Sequence, residues 1–181
     1  MPDEHFTNEA IDIESLPKFE EITLKKPHPD YWKIICINLV ISFLLIGIIA
    51  GLFLFFNEEV KPYFIFILSV YTSLFIIFFL IFWASFKKRG YALRTKDVIY
   101  KDGIIAESTT IVPLNRIQHI ELNEGIFSRL FKLGSLQIFT AGGVSGHLKI
   151  MGIPIEEAKN IRDLILNKLD LIETAETENE F

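Results

Sequence analysis

Two long apolar runs without a charged residue constrain this chain more than any other feature of its sequence. The first covers residues 34–56 and the second covers residues 63–86. Since a helix rises about 1.5 Å per residue, roughly 20 apolar residues cross about 30 Å of hydrocarbon. The polar gap between the runs is too short to form a domain. The sequence therefore predicts a transmembrane hairpin over residues 31–89, with spans at about 34–56 and 63–86.

Charged residues are unevenly distributed outside the two runs, so the formal net charge of −5 describes no single part of the chain. Residues 1–30 hold eight acidic residues against three lysines and predict an acidic, mostly disordered tail, with docking of part of it as the alternative. Residues 173–181 are predicted to form a second acidic tail. Between residues 87 and 170 there are 13 basic and nine acidic side chains, which favours membrane lipids over nucleic acid as a partner.

Basic residues stand at both outer ends of the predicted hairpin. They are Lys25, Lys26 and Lys33 before the first run, and Lys87, Lys88, Arg89 and Arg94 after the second. The connecting loop contains only Lys61. Because Lys and Arg near the ends of spans stay on the cytoplasmic side, we expect a multi-pass membrane protein with both termini in the cytoplasm.

Small residues recur four positions apart in both runs. Gly47 and Gly51 form one pair, and Ser69 and Ser73 form the other. Such pairs let helix backbones approach closely, so they predict helix packing, either within the hairpin or between copies in a homo-oligomer. Neither run contains Asp, Glu, Lys, Arg or His, which disfavours a channel or transporter built from these two spans alone.

The pattern changes near residue 90 to short β-strands separated by turn signals. The predicted strands cover residues 91–94, 98–101, 104–112, 116–122, 136–141 and 147–152. Asp102-Gly103 predicts a tight hairpin. Ile117 is out of phase with Ile120 and Leu122, so a bend or β-bulge is expected there. Residues 125–132 predict a short helical turn, and residues 142–146 predict a flexible turn.

An amphipathic helix is predicted to close the chain from residue 154 to about residue 171. Pro154 suits the first helical position, and Glu156 and Glu157 suit the positive end of the helix dipole. The apolar residues recur every three and four positions, so one face of the helix can cover the strands. Residues 90–172 are therefore predicted to form one small domain with its own core.

Six short motifs follow one another through this predicted domain. They are Tyr91-Ala-Leu-Arg-Thr-Lys-Asp97, Asp102-Gly-Ile104, Pro113-Leu-Asn-Arg-Ile-Gln118, Gly134-Ser-Leu136, Thr140-Ala-Gly-Gly143 and Glu157-Ala-Lys159. In this order they resemble the YdbS-like bacterial pleckstrin-homology (PH) domain proteins. The resemblance extends over residues 31–171, because that family also places a two-span hairpin before its domain.

The resemblance implies an α+β membrane protein in the bacterial inner membrane. Its fold is expected to be a two-helix transmembrane hairpin followed by a PH-like antiparallel β-barrel of about seven strands, capped by a C-terminal α-helix. Eukaryotic PH domains that bind phosphoinositides use a basic loop between the first two strands. Here that turn is only Thr95-Lys96-Asp97, so specific phosphoinositide binding is not expected.

Arg116, Gln118 and the three basic residues at 87–89 (Lys87, Lys88 and Arg89) are the candidate partner-binding or lipid-binding residues. Arg116 could bind a carboxylate or a phosphate through two N–H groups, or it could pair with an acid such as Glu121. The basic residues after the second run anchor the span and attract anionic headgroups. No catalytic residue, metal site or cofactor is expected, because no acid–base pair, activated nucleophile or set of metal ligands is present.

These features favour a non-enzymatic, membrane-anchored accessory or scaffold protein. We expect its PH-like module to bind a protein partner or the membrane surface on the cytoplasmic side. Two alternatives remain open. The module could be a regulator that senses anionic lipid, or the whole chain could be a structural subunit of a membrane enzyme or transporter complex.

Overall fold

A computed structural model describes residues 22–104, 106–140 and 147–179 of the chain. The helices are α1 (Asp30–Phe56), α2 (Phe64–Lys88), α3 (Ile126–Leu130) and α4 (Ile155–Asn179). The strands are β1 (Gly90–Leu93), β2 (Asp97–Asp102), β3 (Ser108–Pro113), β4 (Ile117–Asn123), β5 (Leu133–Thr140) and β6 (His147–Pro154). Short 3₁₀ helices occupy Glu58–Tyr63 and Leu114–Arg116. Most of the predicted N-terminal tail and the predicted turn at 142–146 lie outside the described residues.

Helices α1 and α2 correspond to the two apolar runs, and both are long and apolar enough to cross a membrane. They form an antiparallel hairpin in which aromatic side chains fill the contact. The ring of Phe43 lies 5.1 Å from that of Phe75 and 6.0 Å from that of Phe78, measured between centroids. Near the start of α1, the Trp32 ring lies 5.4 Å from that of Phe79 in α2. Edge-on aromatic contacts of this kind favour a defined helix pairing.

Six antiparallel strands follow the hairpin in two separate three-stranded sheets. Sheet 1 has the order β1-β2-β3, and sheet 2 has the order β4-β5-β6. The predicted closed barrel is therefore wrong, because the two sheets do not join. Pro113 at the end of β3 has no N–H to donate, and the N–H of Leu114 donates to the carbonyl of Lys96 at 2.9 Å. The chain thus turns out of sheet 1 before β4 begins.

The free edge of β1 is occupied by the segment that precedes α1. Lys25 pairs with Tyr91 in an antiparallel bridge: the Lys25 N–H donates to the Tyr91 carbonyl at 2.8 Å, and the reverse bond is 2.9 Å. The pairing therefore covers the edge of β1 at Tyr91. This contact fixes the residues just before α1 against the folded domain.

Local predictions within the sheets are confirmed at some positions and wrong at others. The predicted bulge is confirmed, since the register between β4 and β5 shifts between Ile117 and His119. The tight hairpin predicted at Asp102-Gly103 is wrong, because Asp102 pairs with Ser108, which lies six positions further along the chain. Gly103 has a φ of 107°, and an added Cβ would collide with the carbonyl oxygen of Ala106. The backbone therefore turns at Gly103, and β3 begins at Ser108 instead of at residue 104.

The core joins residues of both sheets, among them Tyr91, Val98 and Val112 of sheet 1, to one face of α4. Leu136 and Ile138 of β5, Ile153 of β6, and Ala158 and Ile165 of α4 each expose 0% of their surface. The predicted closing helix is confirmed, although α4 begins at Ile155 and continues to Asn179, beyond the predicted end. The short helical turn predicted at 125–132 is also confirmed, as α3.

Candidate functional site

The start of α1 packs directly against the end of β6. The ring of Tyr31 covers Gly152 so closely that an added Cβ there would lie 2.5 Å from the ring Cγ. The Tyr31 hydroxyl lies 3.3 Å from the sulfur of Met151, and the N–H of His28 donates to the Gly152 carbonyl at 2.8 Å. Gly152 has a φ of 76°, a conformation that suits glycine. These contacts join sheet 2 to the first turn of the candidate membrane helix.

A polar cleft of about 290 Å³ opens beside this contact, between α1 and sheet 2. Its lining residues come from five elements and the adjoining loop: Tyr31, Ile34, Ile35, Asn38, Asn123, Gly125, Ser128, Gly134, Ser135, Lys149, Met151 and Gly152. The ammonium of Lys149 and the side-chain amides of Asn38 and Asn123 supply donors that suit phosphate or ester oxygens. The sequence does not predict this cleft, because its two walls are about a hundred residues apart in the chain.

A second polar contact ties the pre-helical segment to α4. Glu157 accepts a hydrogen bond from the Tyr91 hydroxyl at 2.9 Å and pairs with the ammonium of Lys25 at 2.6 Å. Burial raises the pKa of Tyr91 well above its ordinary value, and the bond to Glu157 raises it further. The residues before α1, the first strand and the last helix are thereby held at one point.

The three basic residues after the second apolar run have different surroundings. Lys87 places its ammonium 3.9 Å from the centre of the Trp83 ring. Lys88 donates to the carbonyl of Ile104 at 2.9 Å and pairs with Glu107 at 3.0 Å. Arg89 is half-buried, and its Nε has no hydrogen-bond partner among the described residues. Lys87 is therefore the residue of the three best placed to contact a headgroup.

Glu107 is the acidic centre of this cluster. It also pairs with Lys101 at 2.7 Å, so two ammonium groups flank one carboxylate. The hydrogen bonds from Lys101 and Lys88 lower the pKa of Glu107 to about 2. The cluster fastens the end of α2 to the loop between β2 and β3.

Arg116 ends the 3₁₀ helix that precedes β4, Gln118 is the second residue of β4, and both are exposed. The alternative in which Arg116 pairs with Glu121 is not seen, because Glu121 instead lies 3.5 Å from the imidazole Nε2 of His119. Within residues 22–104, 106–140 and 147–179, Arg116 has no ion-pair partner. Its guanidinium is thus available to an external carboxylate or phosphate.

The small residues of the hairpin have unequal settings. Gly47 faces α2, where an added Cβ would lie 3.0 Å from the Tyr71 hydroxyl, and that hydroxyl donates to the Phe43 carbonyl at 2.7 Å. Gly51 has open space around it. Ser69 and Ser73 are both exposed. The structure therefore brings Gly47 into the contact between the two helices and leaves the serine pair on the surface.

His119 and His147 flank a common residue. Phe139 of β5 lies between them, with ring centroids 5.5 Å from His119 and 4.6 Å from His147. The grouping arises because β4 and β6 both pair with β5, which places the three side chains opposite one another. The three rings form an aromatic ladder across the strands. Across the described part of the chain, no group of three or more His, Cys, Asp or Glu residues could hold a metal ion.

Known proteins similar to this chain come from bacteria. The family model of the bacterial PH domain matches residues 35–169. The UPF0699 transmembrane protein YdbT of Bacillus subtilis (strain 168) is 25% identical over 132 residues, which cover 72% of this chain and 25% of YdbT. The UPF0699 transmembrane protein YdbS of the same organism is 29% identical over 75 residues, 41% of this chain and 45% of YdbS.

Each of these matches covers less than half of the relative's own length. No solved structure matches the chain. The family match takes in most of α1, all of α2, both sheets and much of α4. Since it extends over well more than half of the sequence, this chain belongs to the bacterial PH domain family.

Proposed function

We propose that this chain is a non-enzymatic, membrane-anchored accessory or scaffold protein. In this proposal α1 and α2 span the bacterial inner membrane with both termini in the cytoplasm. The PH-like module then lies against the cytoplasmic face and presents a surface to a protein partner or to the membrane. The excess of Lys and Arg at the outer ends of the hairpin supports this orientation.

The proposal depends on one observation: the module is attached both to the end of α2 and to the start of α1. Only Arg89 separates the end of α2 from the start of β1. At the other end, Lys25 pairs with β1 and Tyr31 packs on Gly152. A module held in one orientation loses little freedom when it binds a membrane neighbour, and tethering raises its effective concentration for that neighbour.

The exposed pair Arg116 and Gln118 is the proposed partner-binding surface. Among the described residues, the guanidinium of Arg116 has no ion-pair partner and the side-chain amide of Gln118 has no hydrogen-bond partner. The two residues lie two positions apart, where β4 begins. A planar guanidinium binds carboxylates through two parallel hydrogen bonds, which fixes the geometry of the partner. We therefore expect the partner to present an acidic group.

Site-specific photocrosslinking in living cells tests this proposal. A photoreactive residue replaces Gln118 in the full-length chain, and a matched one replaces Asn160, which is exposed on α4. We expect one discrete protein adduct from position 118, none from position 160, and loss of the adduct when Arg116→Glu is added. Equal adducts from both positions, or an adduct that survives Arg116→Glu, would contradict the proposal.

A second candidate function is the sensing of anionic lipid, and the polar cleft between α1 and sheet 2 favours it. The cleft is lined by the exposed side chain of Lys149 and by the side-chain amides of Asn38 and Asn123. Spin-labelled phosphatidylglycerol and phosphatidylcholine, each added to nanodiscs that contain the full chain, measure the preference. Sensing predicts a preference for phosphatidylglycerol that Lys149→Glu abolishes, and equal association of both lipids would contradict it.

A further inference from the structure

The exposed apolar surface of α1 begins well after the helix itself begins. Ile34 and Leu39 expose only 5% and 7% of their surface, and the large exposed apolar residues of α1 start at Val40. From Val40 to Phe56 the helix rises about 25 Å, which is close to the thickness of a hydrocarbon layer. The folded domain and α2 together cover this part of α1, and the exposed apolar belt begins directly after it.

The short helix α3 lies beside those covered turns. It contacts α1, and the Phe131 ring that follows it lies 5.8 Å from the ammonium of Lys33. Gly125 and Ser128 share the polar cleft with Asn38, which is two residues before Val40. α3 is thus placed at the level where the apolar belt of α1 starts.

Two apolar side chains of α3 are more exposed than a folded domain requires. Ile126 exposes 82% and Leu130 exposes 75% of their surface, whereas the most exposed large apolar residue of the two long helices, Ile65, exposes 78%. The residues are four apart and so share one helical face. Elsewhere in the described domain, the large exposed apolar residues, such as Ile111 at 41%, are far less exposed.

Basic side chains surround this apolar pair. Arg129 is exposed in the same helix, and Lys132 is exposed directly after it. Neither has an ion-pair partner in the part of the chain that the structure describes. Apolar residues flanked by unpaired cations are typical of elements that enter the boundary between headgroups and acyl chains of an anionic membrane.

We propose that α3 inserts Ile126 and Leu130 into the phospholipid leaflet on the side of the folded domain, with Arg129 and Lys132 at the phosphate level. The bilayer that holds α1 and α2 is the occupant of this surface, because the apolar face of α3 continues the belt that begins at Val40. Insertion gives the domain a further attachment to the membrane, beside the first turns of α1. The inference rests on the membrane anchoring in the proposed function.

Depth measurement by electron paramagnetic resonance tests the insertion in the full-length chain. The native Cys36 is replaced by serine, and a spin label is attached in separate samples at Ile126→Cys, Leu130→Cys, Ile111→Cys and Phe53→Cys. The protein is reconstituted into vesicles of phosphatidylethanolamine and phosphatidylglycerol. Collision rates with oxygen, which enters the bilayer, and with a water-soluble nickel chelate are then compared. Phe53 in the apolar belt is the lipid control, and Ile111 on sheet 1 is the water control.

We expect the ratio of oxygen to nickel collisions at positions 126 and 130 to be several-fold higher than at position 111 and close to that at position 53. A ratio equal to that at position 111 would overturn the insertion. Low collision rates with both reagents would also overturn it, because they indicate that a protein covers α3. Failure of the anchoring itself would instead give a water-like ratio at position 53, so the two failures are distinguishable.

Discussion

Replacing Gly152 by alanine tests the contact between the domain and α1. The new Cβ would lie 2.5 Å from Cγ and 2.8 Å from Cβ of Tyr31, and the φ of 76° is unfavourable for any residue with a Cβ. Overpacking of this kind costs roughly 1–3 kcal/mol, and the left-handed backbone adds about 1–2 kcal/mol. We therefore expect Gly152→Ala to lower the free energy of unfolding by about 2–5 kcal/mol.

The two contributions separate in a double-mutant cycle with Tyr31→Ala. Without the ring, Gly152→Ala should lose only the backbone part, about 1–2 kcal/mol, so the coupling energy between the two sites should be about 1–3 kcal/mol. Pulse proteolysis of the full chain in detergent micelles, over a urea series, measures each free energy. Gly51→Ala is the matched control, because that glycine has nothing within 4 Å. A Gly152→Ala variant as stable as Gly51→Ala would refute the reasoning, as would a coupling energy near zero.

Three further predictions follow from other contacts. The pKa of Glu107 is lowered from 4.5 to about 2, so the stabilisation that its carboxylate gives is complete above pH 4.5 and is lost as the pH falls toward 2. Glu107→Gln should therefore make the free energy of unfolding depend less on pH over that range. Unfolding followed by circular dichroism at each pH measures this. Gly47→Leu should lower the melting temperature in micelles more than Gly51→Leu, because only the first side chain meets the tyrosine hydroxyl of α2; equal losses would contradict the packing. After replacement of the native cysteine, a cysteine at Glu59 should react with an impermeant thiol reagent from outside the cell and one at Asp102 should not, and the reverse result would invert the proposed orientation.

The sequence predicts the parts of this fold that depend on local pattern. The two uncharged runs are sufficient to predict α1 and α2, because no other stable structure buries so many consecutive apolar residues. The bulge at Ile117 follows from a change in the phase of alternation, and α4 follows from its helical periodicity. Each of these signals lies within one element of the chain.

The features that the sequence does not predict depend on contacts between distant segments. The barrel expectation fails because the six strands form two separate sheets, and no local pattern indicates either that separation or the pairing of Lys25 with β1. The polar cleft needs Asn38 and Lys149 on opposite walls. The sequence also does not predict that Ile126 and Leu130 are exposed, because the same apolar spacing is typical of a buried helical turn.

The single-residue connection between α2 and β1 has a mechanical consequence. Spanning helices change their tilt when the bilayer becomes thinner or thicker. A long flexible linker would absorb such a rotation, but Arg89 alone cannot. A rotation of α2 is therefore passed on to β1 and sheet 1 instead of being taken up by the connection.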